Sequence, residues 1–195
     1  MRITGGEYRG RILRTVDDLS VRPATDRVRQ TLFNMLVNRL DFEDLAVLDL
    51  FAGSGSLGIE ALSRGAERAV FVEGDRRAAE FIDRNLEQLR CVDRAEVLNV
   101  DALRYLRQSS DTFGLVFADP PYLFEATASL PGLLFSRGTV RPDGYLLIEH
   151  SRDLIFQESP LYRIGPVKRF GRTVVTFFTA KGSDETTDSD LSGHV

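Results

Sequence analysis

Tryptophan is absent from this 195-residue chain, cysteine occurs once, histidine twice, and lysine only at positions 168 and 181. The single thiol, Cys91, excludes an intrachain disulfide and any cysteine-rich zinc site, and it fits a reducing cytoplasm. No apolar run reaches the roughly 18 residues a membrane span requires, and no apolar h-region follows Met1. Neither a span nor a signal peptide is expected. With His150 and His194 the only imidazoles, chemistry that depends on a base titrating near neutral pH is poorly supplied. No metal site is expected either. The length suits one α/β domain with a substantial core.

An excess of negative charge is also missing once the chain is divided. The formal net charge is −4, and residues 183–195 carry Asp184, Glu185, Asp188 and Asp190 with no Lys or Arg, so the rest is neutral. This polar tail is expected to be disordered. In residues 1–39, eight arginines (2, 9, 11, 14, 22, 27, 29 and 39) face four acids, Glu7, Asp17, Asp18 and Asp26. Arginine suits bidentate phosphate contacts and stacking on bases.

What is present is organised around Val47 to Gly58, V-L-D-L-F-A-G-S-G-S-L-G. Ala46 to Phe51 reads as a strand buried on both faces. Gly53, Gly55 and Gly58 follow in G-x-G-x-x-G spacing, and then the apolar period becomes helical at Ile59. A glycine turn between strand and helix leaves helix N–H groups unpaired and lets a ligand approach bare backbone. The next apolar run, Ala69 to Val72, ends in Glu73, twenty residues after Gly53, where an acid meets ribose hydroxyls. The reading is a nucleoside-bearing cofactor. The motif alone does not say which one, and a glycine turn that merely packs a helix on a sheet is the plain alternative.

Around this stretch the chain alternates strand and helix, with strands near 46–51, 69–73, 95–99, 113–118 and 144–149 and helices near 56–64, 75–90, 101–109 and 124–137. Two extended segments, 161–164 and 172–179, then form an antiparallel hairpin. The expected fold is α/β: a Rossmann-like, class I S-adenosylmethionine-dependent methyltransferase sheet of seven mostly parallel strands with an antiparallel C-terminal hairpin. The segment Arg2 to Arg14 reads as a small β-hairpin around Gly5-Gly6 and Gly10. It is either a flap over a sheet edge or an RNA-gripping extension, and its arginines and Tyr8 favour the second. Residues 1–20 are thus an N-terminal extension, 21–182 the catalytic domain and 183–195 the tail. Thr25 or Asp26 can cap a helix whose stripe is Val28, Leu32, Met35, Leu36 and Leu40. Arg22, Arg27 and Arg29 lie near its start. Asp101 and the Ala102 N–H, at the carboxyl end of the third strand, are placed for an adenine ring, with helix capping as the alternative for Asp101.

The fourth strand delivers Asp119-Pro120-Pro121-Tyr122. Two successive prolines donate no N–H, so this turn presents carbonyl oxygens, a carboxylate and a ring. That set fits an exocyclic amino group on a planar base: Asp119 and the Pro120 carbonyl accept its hydrogens while Tyr122 stacks on the ring. Holding both hydrogens localises the nitrogen lone pair and aims it at an electrophilic methyl, which a sulfonium cofactor supplies ready activated. His150, at the end of the fifth strand, can line this site but is more simply structural.

The segments R-I-T-G-G-E-Y-R-G-R at the start, R-P-A-T-D-R-V-R-Q-T-L-F-N from Arg22, D-L-F-A-G-S-G-S-L-G-I-E-A-L-S-R-G-A from Asp49 and D-P-P-Y from Asp119 resemble the RsmD family of bacterial 16S ribosomal RNA guanine-N2 methyltransferases. The resemblance runs to about residue 180, with Gln30 a departure at a position where the family commonly has an acid. It implies S-adenosylmethionine contacts at Asp49, Gly53, Gly55, Glu73 and Asp101, and catalytic contacts at Asp119, Pro120 and Tyr122. It implies a guanine of 16S RNA in a partly assembled small subunit, reached by Tyr8, Arg9, Arg11, Arg14, Arg22, Arg27 and Arg29; a monomer is the default expectation for the oligomeric state, and the single thiol points to the cytoplasm. Competing readings are an N6-adenine methyltransferase, an NAD-dependent oxidoreductase and a non-catalytic RNA-binding assembly factor.

Overall fold

The computed structural model describes residues 1–15 and 23–182. Among these residues the α-helices and strands follow in order: α1 (Pro23–Leu36), β1 (Ala46–Leu50), α2 (Ser56–Ser63), β2 (Arg68–Glu73), α3 (Arg76–Leu89), β3 (Ala95–Asn99), α4 (Ala102–Gln108), β4 (Phe113–Ala118), α5 (Leu130–Ser136), β5 (Val140–Ser151), β6 (Tyr162–Phe170) and β7 (Thr173–Ala180). The strands form one sheet of order β3-β2-β1-β4-β5-β7-β6. β1 to β5 are parallel, and β7 runs antiparallel to both β5 and β6. The mostly parallel seven-stranded sheet and its closing hairpin are as the sequence predicts.

The order places the site. From β1 the chain moves outward through β2 to β3, then returns to build β4 on the other side of β1. The loops after β1 and β4 therefore diverge at a crevice, where ligands bind in open α/β sheets. Alternation along the central strands feeds two layers of core. Val47, Phe71, Leu115 and Phe117 pack under α1, α2 and α3 with Phe33, Ile59, Leu62, Ile82 and Leu86. Leu48, Leu50, Val70, Val72 and Val116 pack against α4 and α5 with Tyr105, Leu106, Leu130 and Leu134.

Three local readings change. α1 begins at Pro23, whose fixed φ suits a first helical turn, so Asp26 lies inside that turn rather than capping it. The buried face of α1 is wider than the expected stripe, because Phe33 is fully buried against Phe42 and Phe117. The helix expected over 124–137 is split: a 3₁₀ turn spans Glu125–Ser129, and α5 starts afresh with Pro131 in its first turn. Among the described residues no helix is long and apolar enough to cross a membrane. The acidic tail from Ser183 lies outside the described residues.

The N-terminal arm is paired on itself by one antiparallel bridge, Arg2 to Ile12, and it is built into the domain. Ile3 and Leu13 are buried in the core layer under α2 and α3. The Glu60 carboxylate, fully buried, accepts from the Thr4 N–H (2.8 Å), the Thr4 hydroxyl (2.6 Å), Arg29 Nε (3.2 Å) and Arg64 Nε (2.9 Å). Gly6, at φ 75°, lies so close to the end of α2 that a Cβ would come 1.7 Å from the Ser63 carbonyl oxygen. The Glu7 N–H bonds that carbonyl. Asn85, also fully buried, accepts from the Arg14 N–H and donates to the Arg14 carbonyl, as a neighbouring strand would.

Candidate functional site

β1 ends in a sharp reversal. Phe51 takes a left-handed φ of 61°, and Gly53 (54°) and Gly55 (72°) follow in the same region, where a residue other than glycine costs energy. Phe51 is held there edge-on against Phe124, centroids 5.0 Å apart. Gly58 serves packing: a Cβ there would lie 2.3 Å from the Phe71 ring. Asp49, buried beneath the loop, accepts the Gly58 N–H at 2.8 Å. Burial outweighs that bond, and with help from nearby Glu73 it pushes the Asp49 pKa up to about 7. Glu73 closes the loop from the next strand, accepting the N–H groups of Gly53 and Asp75, each at 2.7 Å. Asp101 stands exposed at the end of β3. Its Oδ1 accepts the Arg104 N–H at 2.8 Å, so the capping role is real and uses one oxygen. Ala102 is buried at the start of α4.

The turn after β4 meets this loop. The Asp119 N–H reaches the Leu50 carbonyl at 3.3 Å. Asp119 also lines, together with Ser56 and Leu57 at the start of α2, a cavity of about 460 Å³ walled by Met1, Val28, Leu32 and Phe170. A second cavity of about 330 Å³ lies across Asp119, Glu149 and Thr173, which line both, and holds Pro120, Tyr122, Phe124 and His150. The start of α2 and the turn after β4 therefore face one hollow, while Asp49, Gly53, Gly55, Glu73, Asp101 and Ala102 line neither cavity. The Pro121 carbonyl is taken by the Phe124 N–H at 2.8 Å, and Pro120 is buried where it lines the second cavity. Tyr122 is 72% exposed, with its ring open to a stacking partner.

Asp119 opens onto the cavity, so water reaches its carboxylate from that side while protein atoms enclose the rest. Its pKa is raised, first by those enclosing walls, then by Glu149, then by Asp49. Glu149 is raised by burial as well. Nothing local in the sequence marks Glu149; only the pairing of Ala118 on β4 with Ile148 on β5 places the next two residues, Asp119 and Glu149, side by side. His150 is structural: Nδ1 lies 2.8 Å from the Ser151 carbonyl and Nε2 lies 2.7 Å from the Thr176 hydroxyl. A carbonyl only accepts, so Nδ1 carries the proton and Nε2 accepts from Thr176. Burial lowers its pKa, which keeps the ring neutral.

The expected RNA-binding set divides. Arg9, Arg11, Arg14 and Arg27 are exposed, and Arg22 lies outside the described residues. Arg29 has to be removed from the set: it is 3% exposed and ion-paired with Asp26 (2.8 Å) and Glu60 (3.2 Å). Its charge at the start of α1 is thus met by two acids. Tyr8 is half-buried against the core, and burial pushes its pKa up to about 12. It holds the arm more than it offers a face.

Donors and acceptors decide which cofactor suits the loop. A pyrophosphate needs free N–H groups and no anion at the helix start, but Asp49 already occupies the first turn of α2. Acids at 49, 73, 101 and 119 instead suit a ligand rich in donors and positive charge: an adenine amine, ribose hydroxyls, an ammonium and a sulfonium. The residues present fit S-adenosylmethionine and fit NAD poorly.

Residues 1–179 match the family model described as Conserved hypothetical protein 95. The ribosomal RNA small subunit methyltransferase D of Haemophilus influenzae is 38% identical over 156 residues, 78% of this chain and 80% of that protein. The Escherichia coli protein of the same name is 40% identical over 149 residues, 76% of this chain and 74% of its own length. An Escherichia coli structure described as a candidate methyltransferase, yhhF, superimposes with a TM-score of 0.81 at 33% identity, covering 93% of this chain and 98% of that one. A candidate S-adenosylmethionine-dependent methyltransferase from Streptococcus mutans, 14% identical with a TM-score of 0.64 over 81% of this chain and 49% of that one, shares the fold alone. With the family model spanning arm, glycine loop, Asp-Pro-Pro-Tyr turn and closing hairpin, this chain belongs to the RsmD family, that of the ribosomal RNA small subunit methyltransferases D.

Proposed function

We propose that this protein transfers a methyl group from S-adenosylmethionine to the exocyclic N2 of a guanine in 16S ribosomal RNA. The observation that carries the reading is a pair of adjoining cavities that meet at Asp119, one lined by Ser56 and Leu57 directly after the glycine loop and the other by Pro120 and Tyr122. Asp49, Gly53, Gly55, Glu73, Asp101 and the Ala102 backbone would hold the cofactor, which supplies an activated methyl on a sulfonium. Asp119 and the Pro120 carbonyl accept the two amine hydrogens and hold the lone pair out of the ring plane, while Tyr122 stacks on the base. The departing proton goes to the Asp119 carboxylate, whose raised pKa suits it to receive one at neutral pH. No histidine is required.

The small-subunit RNA is supported by the names of the relatives, and guanine rather than adenine by the resemblance to the RsmD family; the acceptor geometry serves either base. The reading extends to a partly assembled subunit, supported by the family resemblance, and to a monomer acting in the cytoplasm. Mass spectrometry of nuclease-digested 16S RNA from cells with and without the protein tests the product: loss of one N2-methylguanosine is expected, and loss of an N6-methyladenosine instead would overturn the base assignment. A non-catalytic assembly factor would remove no methylated nucleoside. Replacing Asp119 by Ala is expected to slow transfer by roughly 10²- to 10³-fold with little change in cofactor affinity, because the acceptor acts mainly in the transition state. A large loss of affinity with an intact rate would contradict its role.

A further inference from the structure

Resting on the reading of this protein as an RNA methyltransferase, we propose that the β6–β7 hairpin is the RNA-gripping surface beside the active site, holding the ribose–phosphate backbone of the strand that carries the target base. Residues 161–182 contain Arg163, Lys168, Arg169, Arg172 and Lys181 and no acid, and they include both lysines of the chain. Arg163, Lys168, Arg169 and Arg172 are exposed. None of these four makes an ion pair or a side-chain hydrogen bond among the described residues. On the outer face of α3, by contrast, Arg76 and Arg84 both pair with Glu80. Four like charges on one small hairpin repel each other, and no ion pair among the described residues compensates them. An anionic partner would.

Position selects the partner. The hairpin turns tightly at Gly171, with φ 63°, and the exposed Arg152 donates to the Gly171 carbonyl, adding another cation at the tip. Phe170, Gly171, Arg172 and Thr173 line the same cavity as Asp119, Ser56 and Leu57. Lys168 stands two strand positions before Phe170, about 7 Å along the chain. A nucleotide whose base enters the cavity therefore brings its flanking phosphates over Lys168, Arg169 and Arg172, while half-buried Phe170 offers a ring at the rim. The arm reaches this cavity through Met1, an uncharged side chain. The arm's Gly5–Tyr8 turn is fastened to the far end of α2 at Ser63, about 12 Å from the glycine loop for a helix of this length.

The test uses the full chain with Lys168, Arg169 and Arg172 all changed to Ala, and unmodified 16S RNA made by transcription as the probe. Affinity is followed between about 50 and 200 mM salt. Removing three phosphate contacts is expected to lower the slope of log K against log salt by about 2, at roughly 0.7 per contact to a single strand, with at least a tenfold loss of affinity at the lower salt. A charge-preserving variant, Lys168→Arg with Arg169→Lys and Arg172→Lys, is expected to keep the wild-type slope, and Arg76→Ala on α3 to change nothing. An unchanged slope in the triple Ala variant, with wild-type protein binding and methylating the RNA, overturns the hairpin alone. Wild-type protein that binds no RNA overturns the hairpin and the functional reading together. Weakened binding in the charge-preserving variant overturns the electrostatic account.

Discussion

Replacing Asp49 by Asn is expected to stabilise the protein while weakening its hold on the cofactor. Asn keeps an oxygen for the Gly58 N–H but cannot ionise. A carboxyl whose folded-state pKa lies above its unfolded one holds its proton more firmly when folded. The folded state is then favoured at low pH, and that advantage is lost as pH rises from the unfolded to the folded pKa. For Asp49 the values are 3.8 and about 7. At roughly 1.4 kcal/mol per unit, ionised Asp49 costs the folded protein on the order of 4 kcal/mol above pH 7, and nothing below about pH 4. A domain of this size gains about 2–4 °C in melting temperature per kcal/mol. The variant should therefore melt roughly 8–16 °C higher than wild type at pH 8, with the gap closing toward pH 4. Thermal melts of both proteins across that range are the assay. In parallel, calorimetry with S-adenosylmethionine should show wild-type affinity rising with pH through about 7. The variant should bind roughly tenfold or more weakly, the worth of one charge-assisted hydrogen bond, and lose that dependence. A gap in melting temperature that ignores pH, or a variant less stable than wild type at pH 8, would refute the reasoning.

Glu149→Gln removes the charge that most raises Asp119 after burial. Because Asp119 must be ionised to accept the amine hydrogens, the rate should rise with pH through its titration, and the variant's rise should come at lower pH; a pH–rate profile with an unmoved limb would separate the two carboxyls. Glu60→Ala leaves Arg29 buried without one of its acids and frees Thr4, which should cost about 3–5 kcal/mol in urea unfolding and expose residues 1–14 to protease. Stability near wild type would mean that the arm is held by its apolar residues alone.

Much of the fold could be read in order along the chain. Strand and helix alternation, the glycine loop and the Asp-Pro-Pro-Tyr turn depend on local period and backbone chemistry, which neighbouring residues settle among themselves. Gly58 shows the boundary: its spacing announces a tight turn, yet the Phe71 ring that forbids a side chain there comes from another strand. Arg29 crosses that boundary. In sequence it is one more arginine in a basic segment, and only Glu60, 31 residues away, turns it into a buried brace.

By itself, the order of residues determined which stretches become strands and which turns present bare backbone or bare acceptors, because those properties belong to a few consecutive residues. Tertiary structure alone decided that the start of α2 and the turn after β4 face one cavity, that Glu149 stands beside Asp119, and that the arm is bound to α2 while the cationic hairpin borders that cavity. Each of these depends on strand order and on charges meeting across the sheet, and such meetings leave no mark in the local pattern.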